Sequence, residues 1–364
     1  YLPGNIFANL GMRMQSAAVL CEIYERTDSA LHVGYVGLAQ ILPVIVLAMP
    51  GGHVADHYSR KRLIMIAEVI IASCSFGLAL NSLFIHSVPL IYLALFLTGV
   101  ARSFQQPARA AFVPQIVPLS VFSNAVTWNS TGFQLSSIIG PTLAGGIIWL
   151  THSATLVYVV DAISSLTFFA VLAFIPDRPI VNKAGSFNLR SVLAGLEFVW
   201  QNKIVLGALT LDMVAVLLGG AVALLPIYAR DILMVGPRGY GALLAAPSVG
   251  ALLMSVILAH RPPLERAGRD LLWSVAGFGV ATIVFGFSRS FTLSIIMLFL
   301  TGVLDTVSVV IRHTLVQIVT PDSMRGRVSA VNGIFIGASN ELGAFRAGVV
   351  ASWAGRLSDP ITGT

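Results

Sequence analysis

Charge is scarce in this chain. Of its 364 residues only 10% are Asp, Glu, Lys or Arg, while 56% are hydrophobic and the mean hydropathy is +0.85. A water-soluble domain carries roughly a quarter charged residues, so water is excluded as the main solvent. Cysteine is nearly absent: Cys21 and Cys74 lie near the end of one apolar run and in the middle of another, which excludes a disulfide framework. The sequence has no Walker loop, dinucleotide fingerprint or large polar domain, so neither ATP hydrolysis within the chain nor a bound cofactor is expected. It also lacks HExxH. His53 and His57 have the i, i+4 spacing of a zinc pair but no third ligand, and they read as loop histidines with no metal. No convergent set of nucleophile and base occurs, which disfavours an intramembrane enzyme. The net charge of +6 would suit nucleic acid in a soluble protein, but basic residues of a membrane protein sit in loops and set orientation, so nucleic acid is excluded as a partner. The chain starts at Tyr1 with no charged segment or cleavage site before its first apolar run, and reads as a fragment without a signal peptide.

What is present is a series of long apolar runs, each near the roughly 20 residues that cross about 30 Å of hydrocarbon as helix. They fall at about 2–24, 33–54, 63–82, 89–108, 124–150, 154–175, 204–227, 239–260, 271–288, 291–316 and 329–353. A β-barrel would show short alternating segments instead. Of the loop cations, Arg60, Lys61, Arg62, Arg109, Arg178, Lys183, Arg190, Lys203, Arg261, Arg266, Arg269, Arg325 and Arg327 fall on one side, and only Arg26, Arg230, Arg238, Arg289 and Arg356 on the other. Retention of lysine and arginine in the cytoplasm puts the first set inside, with the N-terminal side cytoplasmic. Eleven spans leave Thr364 outside, which predicts that a twelfth helix is missing.

The longest loop, about 176–203, carries Phe187, Leu189, Val192, Leu193, Leu196, Val199 and Trp200 at three-to-four spacing, the pattern of an amphipathic interfacial helix. It separates a six-helix half, 1–175, from a second half, 204–364, with five spans. A repeat supports the division: Leu95-Phe96-Leu97-Thr98-Gly99-Val100 recurs letter for letter as Leu298-Phe299-Leu300-Thr301-Gly302-Val303, 203 residues on. Gln115-Ile116-Val117 recurs as Gln317-Ile318-Val319, and Gly34-Tyr35 is echoed by Gly239-Tyr240. Span four matches span ten, so the halves are parallel rather than inverted.

Three motifs carry a resemblance. Gly52-His53-Val54-Ala55-Asp56-His57-Tyr58-Ser59-Arg60-Lys61-Arg62 resembles the cytoplasmic signature of the major facilitator superfamily, with His57 and Ser59 replacing its usual basic residue and glycine. Gly52 would allow close helix approach and Asp56 would accept hydrogen bonds or pair with arginine, a latch holding one gate state. Gly140-Pro141-Thr142-Leu143-Ala144-Gly145-Gly146 looks like the glycine-proline motif of exporters and antiporters in that superfamily, with Ala144 in place of a glycine. Pro321-Asp322-Ser323-Met324-Arg325-Gly326-Arg327 resembles a second cytoplasmic feature, marked by Pro321, Arg325, Gly326 and Arg327. The nearest branch is the efflux type that includes siderophore and macrolide exporters. The resemblance implies an all-α integral membrane bundle of two parallel six-helix repeats, acting as a monomer in the bacterial inner membrane.

A charge at the bilayer centre costs about 2.5 to 3.5 kcal/mol even on an insertion scale, so embedded charges are functional candidates. They are Arg13, Glu68, Arg102, Asp161, Asp212, Asp305, Glu341 and Arg346. Arg13, Arg102, Asp212 and Asp305 lie on spans one, four, seven and ten, the cavity-lining helices of the family resembled, and the repeat makes Arg102 equivalent to Asp305. Asp212 or Asp305 is the candidate proton carrier, with Asp161 and Glu341 in helix contacts and Glu68 snorkelling to the inner surface. The expected function is proton-coupled efflux of a small organic substrate, a drug or siderophore. A lysophospholipid or lipid flippase is the alternative on the same architecture, and unlike charges in the two halves disfavour a channel.

Overall fold

The computed structural model describes residues 1–118, 121–177, 196–219, 221–260, 266–321 and 324–362. Helix is the one regular structure among them: α1 (Leu2–Thr27), α2 (Ala30–His57), α3 (Arg60–Leu80), α4 (Val88–Ile116), α5 (Phe122–Thr151), α6 (Thr155–Ala173), α7 (Lys203–Leu218), α8 (Gly236–Ala259), α9 (Ala267–Phe287), α10 (Phe291–Val319) and α11 (Arg325–Thr362). A wide π turn, Asn81–Ile85, prolongs α3, and a 3₁₀ turn at Ala221–Leu224 followed by turns to Ile232 prolongs α7. Local chemistry sets several ends. Pro3 sits in the first turn of α1, where its missing N–H costs nothing. Asp28, His86 and His152 stop α1, the π turn and α5 with left-handed backbone.

Nine helical segments among the described residues are long and apolar enough to cross a membrane. Eleven long helices follow the eleven stretches read from sequence, and all but the first and last meet that length and hydropathy among the described residues. Asn5, Asn9, Arg13 and Gln15 dilute the apolar surface of α1, and much of α11 falls where side chains are not described. The apolar surface faces outward: Phe76, Leu150, Trp273 and Phe287 are all more than half exposed, as hydrocarbon solvent permits.

The chain forms two compact units. One is Tyr1–Phe187 with Gly236–Ala242, the other Asn188–Val235 with Leu243–Thr364. In the first, α1 packs on α5 and α6, α2 on α4, and α3 on both α4 and α6. In the second, α9 packs on α10 and α11 on α7. Ala8, Ala55, Ile64, Ala108, Phe112, Phe168 and Leu172 form a core in the first unit. Val205, Leu209, Val316, Val328 and Val331 do so in the second, joined by Val199 from the loop segment. Of that loop, residues 196–201 are helical, with Val199 buried and Trp200 exposed. Phe187, Leu189, Val192 and Leu193 of the expected amphipathic helix lie outside the described residues.

The sequence repeat has a physical job. Helices α4 and α10 are both 29 residues long. A Cβ on Gly99 would lie 2.7 Å from the Gln40 carbonyl oxygen of α2, and one on Gly302 would lie 2.6 Å from the Pro247 carbonyl carbon of α8. Each repeat glycine thus lets one helix touch the backbone of its neighbour, at a place where a proline, Pro43 or Pro247, has already disturbed the partner's own ladder.

Candidate functional site

In the second unit, Asp212 of α7 and Arg312 of α10 form a buried ion pair. Asp212 is 6% exposed and Arg312 1%. Charges this deep are tolerated only with a partner, because desolvation exceeds what either could recover alone. The pair adjoins a cavity of about 10 Å³, room for one water at most, lined by Asp212, Ala215, Val216, Ser274, Val275, Phe278, Leu304, Asp305 and Ser308. Asp305, Ser308 and Arg312 fall at i, i+3 and i+7, hence on one face of α10. Among the described residues Asp305 has no hydrogen-bond or ion-pair partner. The buried Ser308 hydroxyl and Arg312 Nε also lack hydrogen-bond partners. The cavity therefore joins a committed carboxylate, an uncommitted one and unspent polar capacity. Arg346 of α11 donates from Nε to the Leu217 carbonyl at 2.7 Å and from a terminal nitrogen to the Leu218 carbonyl at 2.5 Å, placing a cation on the open carbonyls that end α7.

Arg312 is not among the embedded charges that the sequence singles out. A signal existed: it follows Asp305 by two helical turns and stands ten residues after the repeat glycine, as Arg109 does after Gly99. Arg109 is itself a correction. The sequence places it in a loop, but α4 continues to Ile116, and Arg109 donates to Glu68 of α3 at 2.6 Å while lying 4.8 Å over the Phe168 ring. Glu68, also bonded by Gln105 at 2.7 Å and 1% exposed, does not snorkel to the surface. Its guanidinium partner removes the reason to.

The first unit holds its other charges apart from that pair. Arg13 of α1 lies with its guanidinium 4.5 Å above the Phe133 ring of α5, its Nε unpartnered. Arg102 of α4 reaches Gln40 of α2 at 3.4 Å. Asp161 of α6 is 1% exposed and accepts from Ser75 at 2.5 Å, while Gln15 donates to that serine at 2.9 Å. This is the helix-contact role expected of Asp161. Glu22 of α1, unremarked in the sequence, accepts from the buried Tyr158 hydroxyl and pairs with Arg26.

At the gate motif, Gly51, the neighbour of Gly52, makes a close approach, lying against the Ser103 backbone carbonyl of α4. The Asp56 side chain lies outside the described residues. The basic cluster binds the end of α6: Lys61 donates to the Ala173 and Ile175 carbonyls at 3.1 and 2.6 Å. Ser59 donates to Asp177 at 2.8 Å and accepts from the Arg62 backbone N–H, capping α3. Arg60 reaches the Ala111 carbonyl at 3.4 Å. His57 lies within α2 rather than a loop, its Nδ1 2.9 Å from the His53 carbonyl.

In the exporter-like motif, Gly140 lies against the Leu10 to Met14 backbone of α1. Gly145 touches the Pro237 carbonyl and Gly241, and Gly241 in turn lies against the Pro141 carbonyl, so α5 meets the first turns of α8 backbone to backbone. Tyr240 anchors the same turns by donating to the Ala17 carbonyl at 3.0 Å, and Arg238 stacks 5.3 Å over Trp149. Pro321 follows Thr320, the C-cap of α10, and its carbonyl accepts the Met324 N–H at 2.8 Å. The side chains of Arg325 and Arg327, and the surroundings of Gly326, are outside the described residues.

The family described as transmembrane secretion effector matches residues 3–357. The enterobactin exporter EntS of Escherichia coli O1:K1 / APEC is 27% identical over 323 residues, which span 88% of this chain and 77% of that relative. Among solved structures, a bacterial homologue of the iron transporter ferroportin in its inward-facing state superposes with a TM-score of 0.71 at 16% identity, over 95% of this chain and 89% of that one. A D-xylose–proton symporter gives 0.69 at 14% identity, over 94% and 88%. At such identities the two structures speak for the fold alone. With a family match over almost its whole length and a helical bundle of that fold, the chain belongs to the transmembrane secretion effector family, an efflux-type branch of the major facilitator superfamily of membrane transporters.

Proposed function

We propose that this secondary transporter exports a small organic molecule of the drug or siderophore class by proton-coupled alternating access. It acts as a monomer in the bacterial inner membrane, with its basic loops and N-terminal side in the cytoplasm and an ion gradient in place of any cofactor. One observation carries the coupling: among the described residues Asp305 stands without a partner in the cavity that Asp212 shares with it, while Arg312 on the same helix face is committed to Asp212.

An ionised carboxylate with no described partner in so small a cavity is costly, so a proton rests on Asp305 while Arg312 serves Asp212. When the cavity opens to water the proton leaves, and one guanidinium then faces two carboxylates. That competition changes the packing of α7 against α10, which is what a proton must do to drive a conformational cycle. The enterobactin exporters among its relatives support the siderophore class and the outward direction. The test is a panel of labelled catecholate siderophores and macrolides offered to proteoliposomes with an imposed proton gradient. Accumulation of one class that collapses on adding an uncoupler is expected; accumulation indifferent to the uncoupler refutes proton coupling.

A further inference from the structure

Outside the charged sites, the first unit carries an open groove of about 410 Å³ between α3 and α6. Its walls are Met65, Ile66, Val69 and Ile70 of α3 and Phe169 of α6, and Arg62 stands at its mouth. Positions 62, 65, 66, 69 and 70 share one face of α3 over two turns, about 12 Å of helix. The groove is therefore graded along its length: a guanidinium at the helix end, then hydrocarbon. Ile66 and Val69 are 59% and 42% exposed, so no described residue covers this face.

Arg62 differs from its two basic neighbours. Lys61 spends its ammonium on the Ala173 and Ile175 carbonyls, and Arg60 reaches Ala111. The Arg62 side chain is 79% exposed and meets only Asp177, through Nε at 3.5 Å, so among the described residues both terminal nitrogens are unspent. Three consecutive cations stand at this end of α3 near that one described carboxylate, which leaves the mouth of the groove positive.

We propose that this groove binds one anionic phospholipid, with its phosphate on the terminal nitrogens of Arg62 and an acyl chain along Ile66, Val69 and Ile70. The order of chemistry along the groove matches the order along a lipid. A surface cation near an anionic headgroup contributes about a fivefold preference, and two free N–H groups in a planar fork suit a phosphate better than an ammonium would. The site belongs to the membrane-facing side of α3 and is independent of substrate and coupling ion.

The experiment is native mass spectrometry of the purified chain, titrated separately with phosphatidylglycerol and phosphatidylcholine. One phosphatidylglycerol should be retained about fivefold more strongly than phosphatidylcholine. Arg62→Gln should erase that preference, and Val69→Trp, which fills the groove while keeping the cation, should release both lipids. Thermal unfolding of each variant in lipid-free detergent shows that it is folded. Equal retention of the two lipids by the parent chain overturns the proposal, as does undiminished phosphatidylglycerol binding in Arg62→Gln. Binding that survives Val69→Trp places the anion on the surface without a chain in the groove and likewise overturns it.

Discussion

Arg312 and Asp212 neutralise one another across α10 and α7, while Asp305, seven residues before Arg312 on the same helix face, has no partner among the described residues of the cavity it shares with Asp212. One cation thus serves one of the two acids that line the cavity. Removing it should expose the cost of the arrangement. Arg312→Gln leaves Asp212 buried and alone, and breaking a buried pair this way costs about 3–5 kcal/mol. Adding Asp212→Asn removes the orphaned charge and should restore most of the loss. Thermal unfolding in detergent of the two single variants and the double variant checks this, and simple additivity would contradict it.

Backbone contact at the repeat glycines gives a second prediction. Gly302→Ala places a methyl group against the Pro247 carbonyl, and Gly99→Ala does so against Gln40 and Pro43. Each should destabilise the protein by about 1–3 kcal/mol through overpacking. Gly146→Ala, whose added Cβ meets nothing within 4 Å, should be neutral and serves as the control in the same unfolding measurement.

Much of this architecture is legible in the sequence, for definite reasons. Span positions follow from hydropathy, and the Leu95 to Val100 repeat identifies the helices that carry a close-approach glycine. The ion pairs are a different matter: Arg312 and Asp212 are a hundred residues apart, and no periodicity tells one helix which other helix it will face. The same holds for Arg109, whose helix runs past the apolar stretch that sequence reading treats as its end, and for Asp177, an unremarkable acid in a polar stretch until Ser59 is seen to donate to it. Gly34-Tyr35 and Gly239-Tyr240 show the limit of the repeat. Tyr35 is 37% exposed and packs edge-on against His32 and Tyr92, whereas Tyr240 is buried and bonded to α1. The letters recur, but the environments do not.

The crossing of α5 and α8 predicts a transport defect separable from folding. Gly145→Val should leave membrane insertion intact yet slow transport about tenfold, the effect of about 1.4 kcal/mol against the conformation in which these backbones touch. Initial rates in vesicles, normalised to the inserted protein, measure it; a parent-like rate would mean that the contact is not part of the cycle.

Lys61 predicts a smaller effect. Lys61→Ala frees the Ala173 and Ile175 carbonyls at a partly wet site, where each lost hydrogen bond is worth about 0.5–1.5 kcal/mol. Hydrogen exchange at the last turn of α6 should accelerate in this variant while α5 is unchanged. Equal exchange at α6 would show that the α3 cluster does not hold that end.

Asp305 bears the central claim, and comparing two transport modes in one preparation tests it most directly. Proteoliposomes containing Asp305→Asn are assayed for substrate exchange at equal pH on both sides and for accumulation against an imposed pH gradient. Retained exchange with loss of gradient-driven accumulation is the predicted result, because a permanently neutral side chain can complete the structure but cannot carry a proton. Gradient-driven accumulation equal to that of the parent chain would contradict the assignment of Asp305 as the proton carrier.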